Sequence, residues 1–535
     1  PLRITSILQF AERNHPHREI VSVTADDPLH RYDYSEASQR IRKLANALRA
    51  LGINEGDRVA TLAWNDYRHF EIYYAVSCSG SVCHTINPRL FEDQIDYIVN
   101  HAGDRWIFTD VLFVPLLEQL QDRFDTVRGF VVMTDEAHMP DTTLINALCY
   151  ETLLSEQSDE YDWPDLDENT AALLCYTSGT TGNPKGVLFS HRSTVLHAYA
   201  ACLPDTFNFS QRDCVMPVVP LFHACGWGVP YAAPLVGAKL VLPGPKLADG
   251  ERLHALIEGE GVTCALGVPT VWLALLTYLR EAGKTVSSLE RTVVGGAACP
   301  LSIMQEFKEK HGVHVHHAWG MTETSPLGTL NSLKADMAAL SDAELGQIYA
   351  RQGRGVFGIE MKITDSDDNE LPWDGEQFGT FKVRGPWVCS GYYNLKGQSD
   401  VHDEQGWFDT GDVAMIDPRG YMHITDRTKD VIKSGGEWIS SIELENNAVG
   451  HPAVAEAAVI GIAHPKWDER PLLIVVKKDG EDVSKEELLR WYKDKVVKWW
   501  IPDDVVFVDE LPHTATGKLN KLKLRKEFEN YELPG

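Results

Sequence analysis

Tyr176-Thr177-Ser178-Gly179-Thr180-Thr181-Gly182-Asn183-Pro184-Lys185-Gly186 decides how this 535-residue chain reads. Ala171 to Tyr176, just before it, is an apolar run of strand length, and Val187-Leu188-Phe189-Ser190 behind it is apolar again. A strand therefore runs into a loop of Gly, Ser and Thr that carries one lysine. Glycines let backbone N–H groups converge on an anion, and the hydroxyls of Thr177, Ser178, Thr180 and Thr181 add donors. Lys185 supplies a full positive charge. This is the chemistry of holding a polyphosphate. The Walker A pattern is excluded, because there Lys is followed by Ser or Thr, whereas Lys185 sits between Pro184 and Gly186. A plain surface loop would not account for a lone lysine and so many hydroxyls directly after an apolar strand.

Composition bounds the rest. The length calls for more than one domain, and 44% apolar residues can build large cores. A formal charge of −27 repels nucleic acid and anionic membrane, so neither is expected as a partner. Anionic substrates must then be held by local cations. From Arg427 to Gly535 there are 17 Lys/Arg against 20 Asp/Glu, a net of −3, which leaves −24 for the remainder. The last fifth of the chain is nearly balanced, as suits a part that approaches phosphates. The ten cysteines form no C-x-x-C pair and mostly lie in apolar runs, which reads as a reduced, cytoplasmic protein without structural zinc. Pro1-Leu2-Arg3 shows no signal-peptide pattern and reads as a trimmed start. The apolar stretch 215–238 carries Pro217, Pro220, Pro230 and Pro234, which argues for a pocket wall rather than a membrane span.

Along the chain, Ser35 is placed to cap a helix with Ile41, Leu44, Leu48 and Leu51 on one face, ended by Gly52. A strand is expected at 58–63 and an amphipathic helix at 66–79. Short apolar runs at 106–110, 129–133, 171–176, 238–242, 262–266, 291–294 and 313–317 alternate with helical patterns, which predicts parallel, helix-flanked sheets. From about 330 to 425, Gly and Pro are frequent and runs are short, predicting a β-rich subdomain with a tight turn at Asp417-Pro418-Arg419-Gly420. After the polar run Asp426-Arg427-Thr428-Lys429-Asp430, βα patterns return, with a helix around 484–499. The fold expected is α/β: a body over 1–426 and a small mobile α+β lid over 427–535.

Together with later motifs, the loop at 176–186 resembles the phosphate-binding signature of the adenylate-forming superfamily. That superfamily includes acyl-CoA synthetases, peptide-synthetase adenylation domains and beetle luciferases. His317-Ala318-Trp319-Gly320-Met321-Thr322-Glu323-Thr324 resembles the aromatic-Gly-x-Thr-Glu motif, with Trp where Tyr is usual. Trp407-Phe408-Asp409-Thr410-Gly411-Asp412, Pro512-His513-Thr514-Ala515-Thr516-Gly517-Lys518 and Lys433-Ser434-Gly435-Gly436-Glu437-Trp438-Ile439-Ser440 complete the set in family order.

The resemblance implies the following roles. Thr177 to Gly182 and Lys185 grip ATP. His317, Ala318, Trp319 and Gly320 line the nucleotide, with Trp319 stacking on adenine, beside Gly295, Gly296 and Ala297. Thr322 contacts the α-phosphate and Glu323 ligates Mg²⁺. Asp412 and Arg427 hold the ribose. Lys518 bridges carboxylate and α-phosphate. Lys429 is a hinge about which the lid turns, withdrawing Lys518 and presenting Lys433, Gly436, Glu437 and Trp438 to coenzyme A. His223 and Trp227 belong to the acyl pocket; His223 matches a catalytic position near the reacting carbonyl and reads equally as a packed wall residue, and Trp227, if turned inward, shortens the tunnel. Lys521, Lys523, Arg525 and Lys526 read as a solvated basic helix, with contact to CoA phosphate as the minority reading.

The activity implied is ATP-dependent acid–CoA ligation through an acyl-adenylate. The partners implied are a carboxylic acid, ATP and CoA, and a homodimer is compatible with the family. Within the family, the 433–440 stretch and Trp227 are most similar to bacterial medium-chain fatty-acid and 3-methylthiopropanoate CoA ligases. An aryl-acid ligase and a luciferase-like oxygenase share these motifs and stay open as alternatives.

Overall fold

A computed structural model describes the chain apart from residues 26–28, 178–182, 338, 396–400, 436, 479, 494, 514–518 and 535, and apart from the side chain of Glu437. The expected contacts of Ser178 to Gly182, Gly436 and Lys518, and of the Glu437 side chain, lie outside the described residues.

Contacts divide the chain into two compact units. The first comprises Pro1–Thr177, Pro184–Glu360 and Arg384–Gly406. It holds two large sheets. One has seven strands in the order Leu148–Cys149, Gly129–Val132, Asp104–Thr109, Arg58–Leu62, Val82–Thr85, Ala171–Tyr176 and Gly186–Ser190. All neighbours run parallel except the last pair. The other has nine strands; its central six, ordered Glu19–Ser22, Lys239–Leu242, Cys214–Pro217, Cys264–Gly267, Arg291–Val294 and His314–Gly320, are parallel. Antiparallel strands close both of its edges.

Parallel strands covered on both faces are mainly apolar, and the buried polar residues His84 and Asp104 partner each other, Nδ1 to Oδ2 at 2.8 Å. Ile107, Phe130, Val132 and Leu174 pack with Ile98, Val99 and Leu117 from flanking helices. Met216 and Val294 pack with Trp272, Leu275 and Leu279 of helix Pro269–Ala282. Burying side chains of this size contributes roughly 1.5–3 kcal/mol each.

The second unit comprises Met361–Val383 and the described residues of Trp407–Gly535. It contains a four-stranded sheet, Glu360–Thr364, Phe378–Arg384, Phe408–Ile416 and Met422–Arg427. The expected turn closes its last hairpin, where Asp417 Oδ1 accepts from the N–H groups of Arg419 and Tyr421, both at 2.9 Å. A second sheet is built on the long hairpin Val454–His464 and Asp468–Lys477. The boundary expected at 426/427 falls in strand Met422–Arg427.

Several local expectations need correction. The cap of helix Tyr34–Ala50 is Asp33, not Ser35: Asp33 accepts from Glu36 N–H while Glu36 reaches back to Asp33 N–H, a reciprocal arrangement that Ser35 cannot make from inside the helix. Helix Tyr67–Cys78 is buried on every side rather than amphipathic. Its polar groups are satisfied internally: Glu71 bonds to Arg40 and Tyr150, and His69 lies between Trp64 O and Thr61 Oγ1. The helix expected at 484–499 stops at Trp491. The span 330–425 also contains helix Asp342–Tyr349, capped by Ser341. The basic helix Lys521–Glu527 is only partly solvated. Lys523 and Lys526 are exposed, but Lys521 is buried with its Nζ 2.7 Å from Glu445 Oε1, and Arg525 pairs with Asp430.

Candidate nucleotide and acyl site

In the first unit the expected residues gather at the carboxyl ends of parallel strands, where open α/β sheets bind ligands. Strand Ala171–Tyr176 feeds the expected phosphate loop, Arg291–Val294 feeds Gly295, and His314–Gly320 leads to the turn Thr322–Thr324.

The neck of that loop is closed by Thr177 N–H donating to Lys185 O at 2.9 Å and Lys185 N–H donating to Thr177 Oγ1 at 3.3 Å. Thr177 Oγ1 thus serves as an acceptor at the loop's own base. Tyr176 lies opposite Gly186 in the ladder, and its hydroxyl meets His101 Nδ1 at 2.7 Å. The Lys185 ammonium sits 4.6 Å from the centre of the Tyr392 ring. The Tyr392 hydroxyl donates to Glu323 Oε1 at 2.8 Å. Burial, with the Glu323 carboxylate adding to it, pushes the Tyr392 hydroxyl well above the ordinary phenol range. Cys389 N–H donates to Glu323 O at 2.7 Å, which fixes the backbone beneath that carboxylate. Lys185 and Glu323, far apart in sequence, thus share one aromatic neighbour that the sequence reading did not single out. The signal available was Gly391-Tyr392-Tyr393-Asn394, a paired aromatic after a glycine with no chemistry of its own to mark it.

Thr322 and Glu323 are buried in the short turn. His317 is buried, its Nε2 accepting from Cys299 N–H at 3.2 Å. Ala318 and Trp319 are buried as well. The Trp319 ring lies against Gly328, where an added Cβ would fall 2.4 Å from it. A Cβ on Gly320 would fall 1.8 Å from Pro326 O, so no larger residue fits there.

Trp227 belongs to a strained turn. Ala224, Cys225, Gly226, Trp227 and Gly228 all have positive φ, between 37° and 73°. Three of these are not glycine, and left-handed backbone costs such residues roughly 1–2 kcal/mol each. The turn is buried. Its effect is to lay the Trp227 indole over the glycine pair: a Cβ on Gly295 would sit 3.0 Å from Trp227 Cη2, and one on Gly296 3.9 Å from Cζ2. Ala297 follows in the same loop. His223 is half-buried at the entrance to the turn.

The remaining expected residues are in the second unit. Asp412, buried, faces Arg427 across adjacent strands with Nε to Oδ1 at 2.8 Å, while the Arg427 side chain is half exposed. Lys429 is exposed in the turn after that strand. Lys433 is exposed, and its N–H donates to Glu469 Oε2 at 2.9 Å. Trp438 is half-buried opposite Lys433 and tilts against Phe378 at 6.1 Å.

The donor chemistry near Glu323 fits Mg²⁺. A hard cation of this kind is bound by one or two carboxylates plus substrate phosphates rather than by an all-protein cage. Among the described residues no group of three or more His, Cys, Asp or Glu could hold a metal by itself.

Residues 8–393 match the family model described as AMP-binding enzyme, and 443–518 match the AMP-binding enzyme C-terminal domain. The chain is 52% identical over 530 residues to a 3-methylmercaptopropionyl-CoA ligase of Ruegeria lacuscaerulensis, covering 99% of this chain and 98% of that protein. It is 50% identical over 527 residues to a medium-chain-fatty-acid–CoA ligase of Ectopseudomonas oleovorans, covering 98% and 96%. The crystal structure of the anthranilate CoA ligase AuaEII with anthranoyl-AMP superposes with a TM-score of 0.85 at 25% identity, over 98% of this chain and 97% of that one. ATP-bound MatB from Rhodopseudomonas palustris gives 0.82 at 25% identity, over 98% and 99%. The chain belongs to the AMP-binding enzyme family, in its acid–CoA ligase branch. Among the described residues no helix is long and apolar enough to cross a membrane.

Proposed function

We propose that this enzyme joins a short or medium-chain carboxylic acid, such as 3-methylthiopropanoate, to coenzyme A at the expense of ATP. The acid carboxylate attacks the α-phosphorus of ATP, a P–O bond breaks and pyrophosphate leaves. The CoA thiol then attacks the carbonyl of the acyl-adenylate, its proton is lost, and AMP departs with the bonding pair. The first step forces two anions together, so cations and oriented donors are needed. Lys185 and the loop 177–182 hold the phosphates, Thr322 orients the α-phosphate, and Lys518 bridges the two reacting anions. Glu323 would hold Mg²⁺, which when bound supplies charge neutralisation on the phosphates. Asp412 and Arg427 face the ribose, and Trp319 the adenine. The carrying observation is the shared contact of Lys185 and Glu323 with Tyr392, which groups the phosphate-side cation and the metal-side carboxylate.

His223 and Trp227 bound the acyl chain beside Gly295 and Gly296. The backbone turn at 224–228, which holds the indole there, supports a short pocket. Lys429 serves as the hinge of a lid beginning at 427. Its turning exchanges Lys518 for Lys433, Gly436, Glu437 and Trp438, so that one region serves both half-reactions. The ten free cysteines fit a cytoplasmic setting. Pyrophosphate release across straight-chain, thioether and aryl acids, with and without CoA, tests the reading. Release confined to aryl acids would replace the substrate class, and none with any acid would end the proposal.

A further inference from the structure

We infer that Tyr392 is a positioning residue: a spacer that holds the Glu323 carboxylate for a metal–phosphate complex and keeps Lys185 from closing onto that carboxylate as an ion pair. This rests on the proposed role of Glu323. The three side chains come from separate segments, and Tyr392 contacts both others through different parts of one ring. Its hydroxyl donates to Glu323 Oε1 at 2.8 Å, while its face meets the Lys185 ammonium 4.6 Å from the ring centre.

The backbone makes this placement firm. Tyr393 N–H donates to Gly186 O at 2.8 Å, and Tyr392 bridges to Val187, so the segment is tied to the strand leaving the phosphate loop. On its other side, Cys389 N–H donates to Glu323 O at 2.7 Å, and His402 Nε2 bonds to Cys389 O at 2.7 Å. The segment 389–393 therefore links the lysine's strand to the carboxylate's turn.

The physical need is clear. An ammonium and a carboxylate at buried or half-buried positions attract strongly, and a contact pair would have to be broken before either could serve a nucleotide. A phenol answers both charges separately. Its hydroxyl fixes the carboxylate's orientation, and its π face holds the ammonium loosely enough to be surrendered to phosphate. Outer partners that orient a ligating carboxylate typically change metal affinity when lost.

The test uses the full chain and binding readouts. Mn²⁺ binding in the presence of an ATP analogue that cannot be cleaved between the α and β phosphates is followed by electron paramagnetic resonance. Analogue binding without metal is followed by calorimetry. Tyr392→Phe removes only the hydroxyl, Tyr392→Leu removes hydroxyl and ring face, and Glu323→Gln is the control. Tyr392→Phe should weaken Mn²⁺ binding roughly 10–100-fold and leave metal-free analogue binding intact. Tyr392→Leu should weaken both. Unchanged Mn²⁺ binding in Tyr392→Phe, with loss in Glu323→Gln, overturns the inference while the site reading stands. Unchanged Mn²⁺ binding in Glu323→Gln overturns the site reading itself. Equal loss of metal-free binding in Tyr392→Phe and Tyr392→Leu overturns the spacer role. The near-isosteric Tyr392→Phe keeps the test decisive if Tyr392→Leu fails to fold.

Discussion

Replacing Trp227 with Ala should lengthen the acids this enzyme accepts. The indole is buried, 8% exposed, and lies over Gly295 and Gly296. Two effects follow from its removal. The fold loses roughly 3–5 kcal/mol, the usual cost of truncating a buried aromatic. The space left beside the glycine pair is open to substrate methylenes. Each methylene buried there is worth about 0.8 kcal/mol, or about fourfold in kcat/KM, so two added methylenes should gain roughly fifteenfold. A linked test uses Gly295→Ala. Its methyl would lie 3.0 Å from Trp227 Cη2 and 3.3 Å from Ala318 O, so it should impair the native enzyme and cost less once Trp227 is gone, with only the carbonyl contact left. The assay is pyrophosphate release over straight-chain acids of increasing length, with melting curves to show that each variant is folded. A folded Trp227→Ala enzyme with an unchanged chain-length profile would remove Trp227 from the acyl pocket. Additive effects of Trp227→Ala and Gly295→Ala would show that the indole does not press on the glycine loop in solution.

Lys518→Ala should abolish acyl-adenylate formation and spare thioester formation from a supplied acyl-adenylate; equal loss of both half-reactions would contradict its role. Lys429→Pro should depress the thioester step more than pyrophosphate release, and normal rates in both would place the hinge elsewhere. Lys521→Met should destabilise the second unit by roughly 3–5 kcal/mol, because it strands Glu445 and Asp426 without their cation. Burial raises the carboxyl groups of Glu445 and Asp426 above their ordinary range even with Lys521 opposing it. A raised carboxyl favours the folded state at low pH and loses that advantage as pH rises through the folded value. The deficit of Lys521→Met should therefore shrink as pH falls from 8 toward 5 in urea unfolding, and a constant deficit would show that these carboxylates do not carry it.

The sequence by itself determined the fold class, the strands that end at the site and the motif residues. Apolar runs of strand length between helical patterns have few solutions other than parallel sheets. Glycine and hydroxyl residues around one lysine have few uses other than binding an anion. It also shows Trp227 to be bulky, but not which way it points. Only tertiary structure decided the direction, through a left-handed turn at 224–228 that no local propensity requires of Ala, Cys and Trp. Only tertiary structure turned Lys521 inward, since Glu445 and Asp430 lie far from 521–525 in sequence. The same holds for Tyr392. A tyrosine after a glycine is unremarkable in one dimension, and its meaning comes from the two charged neighbours that folding brings to its ring and its hydroxyl.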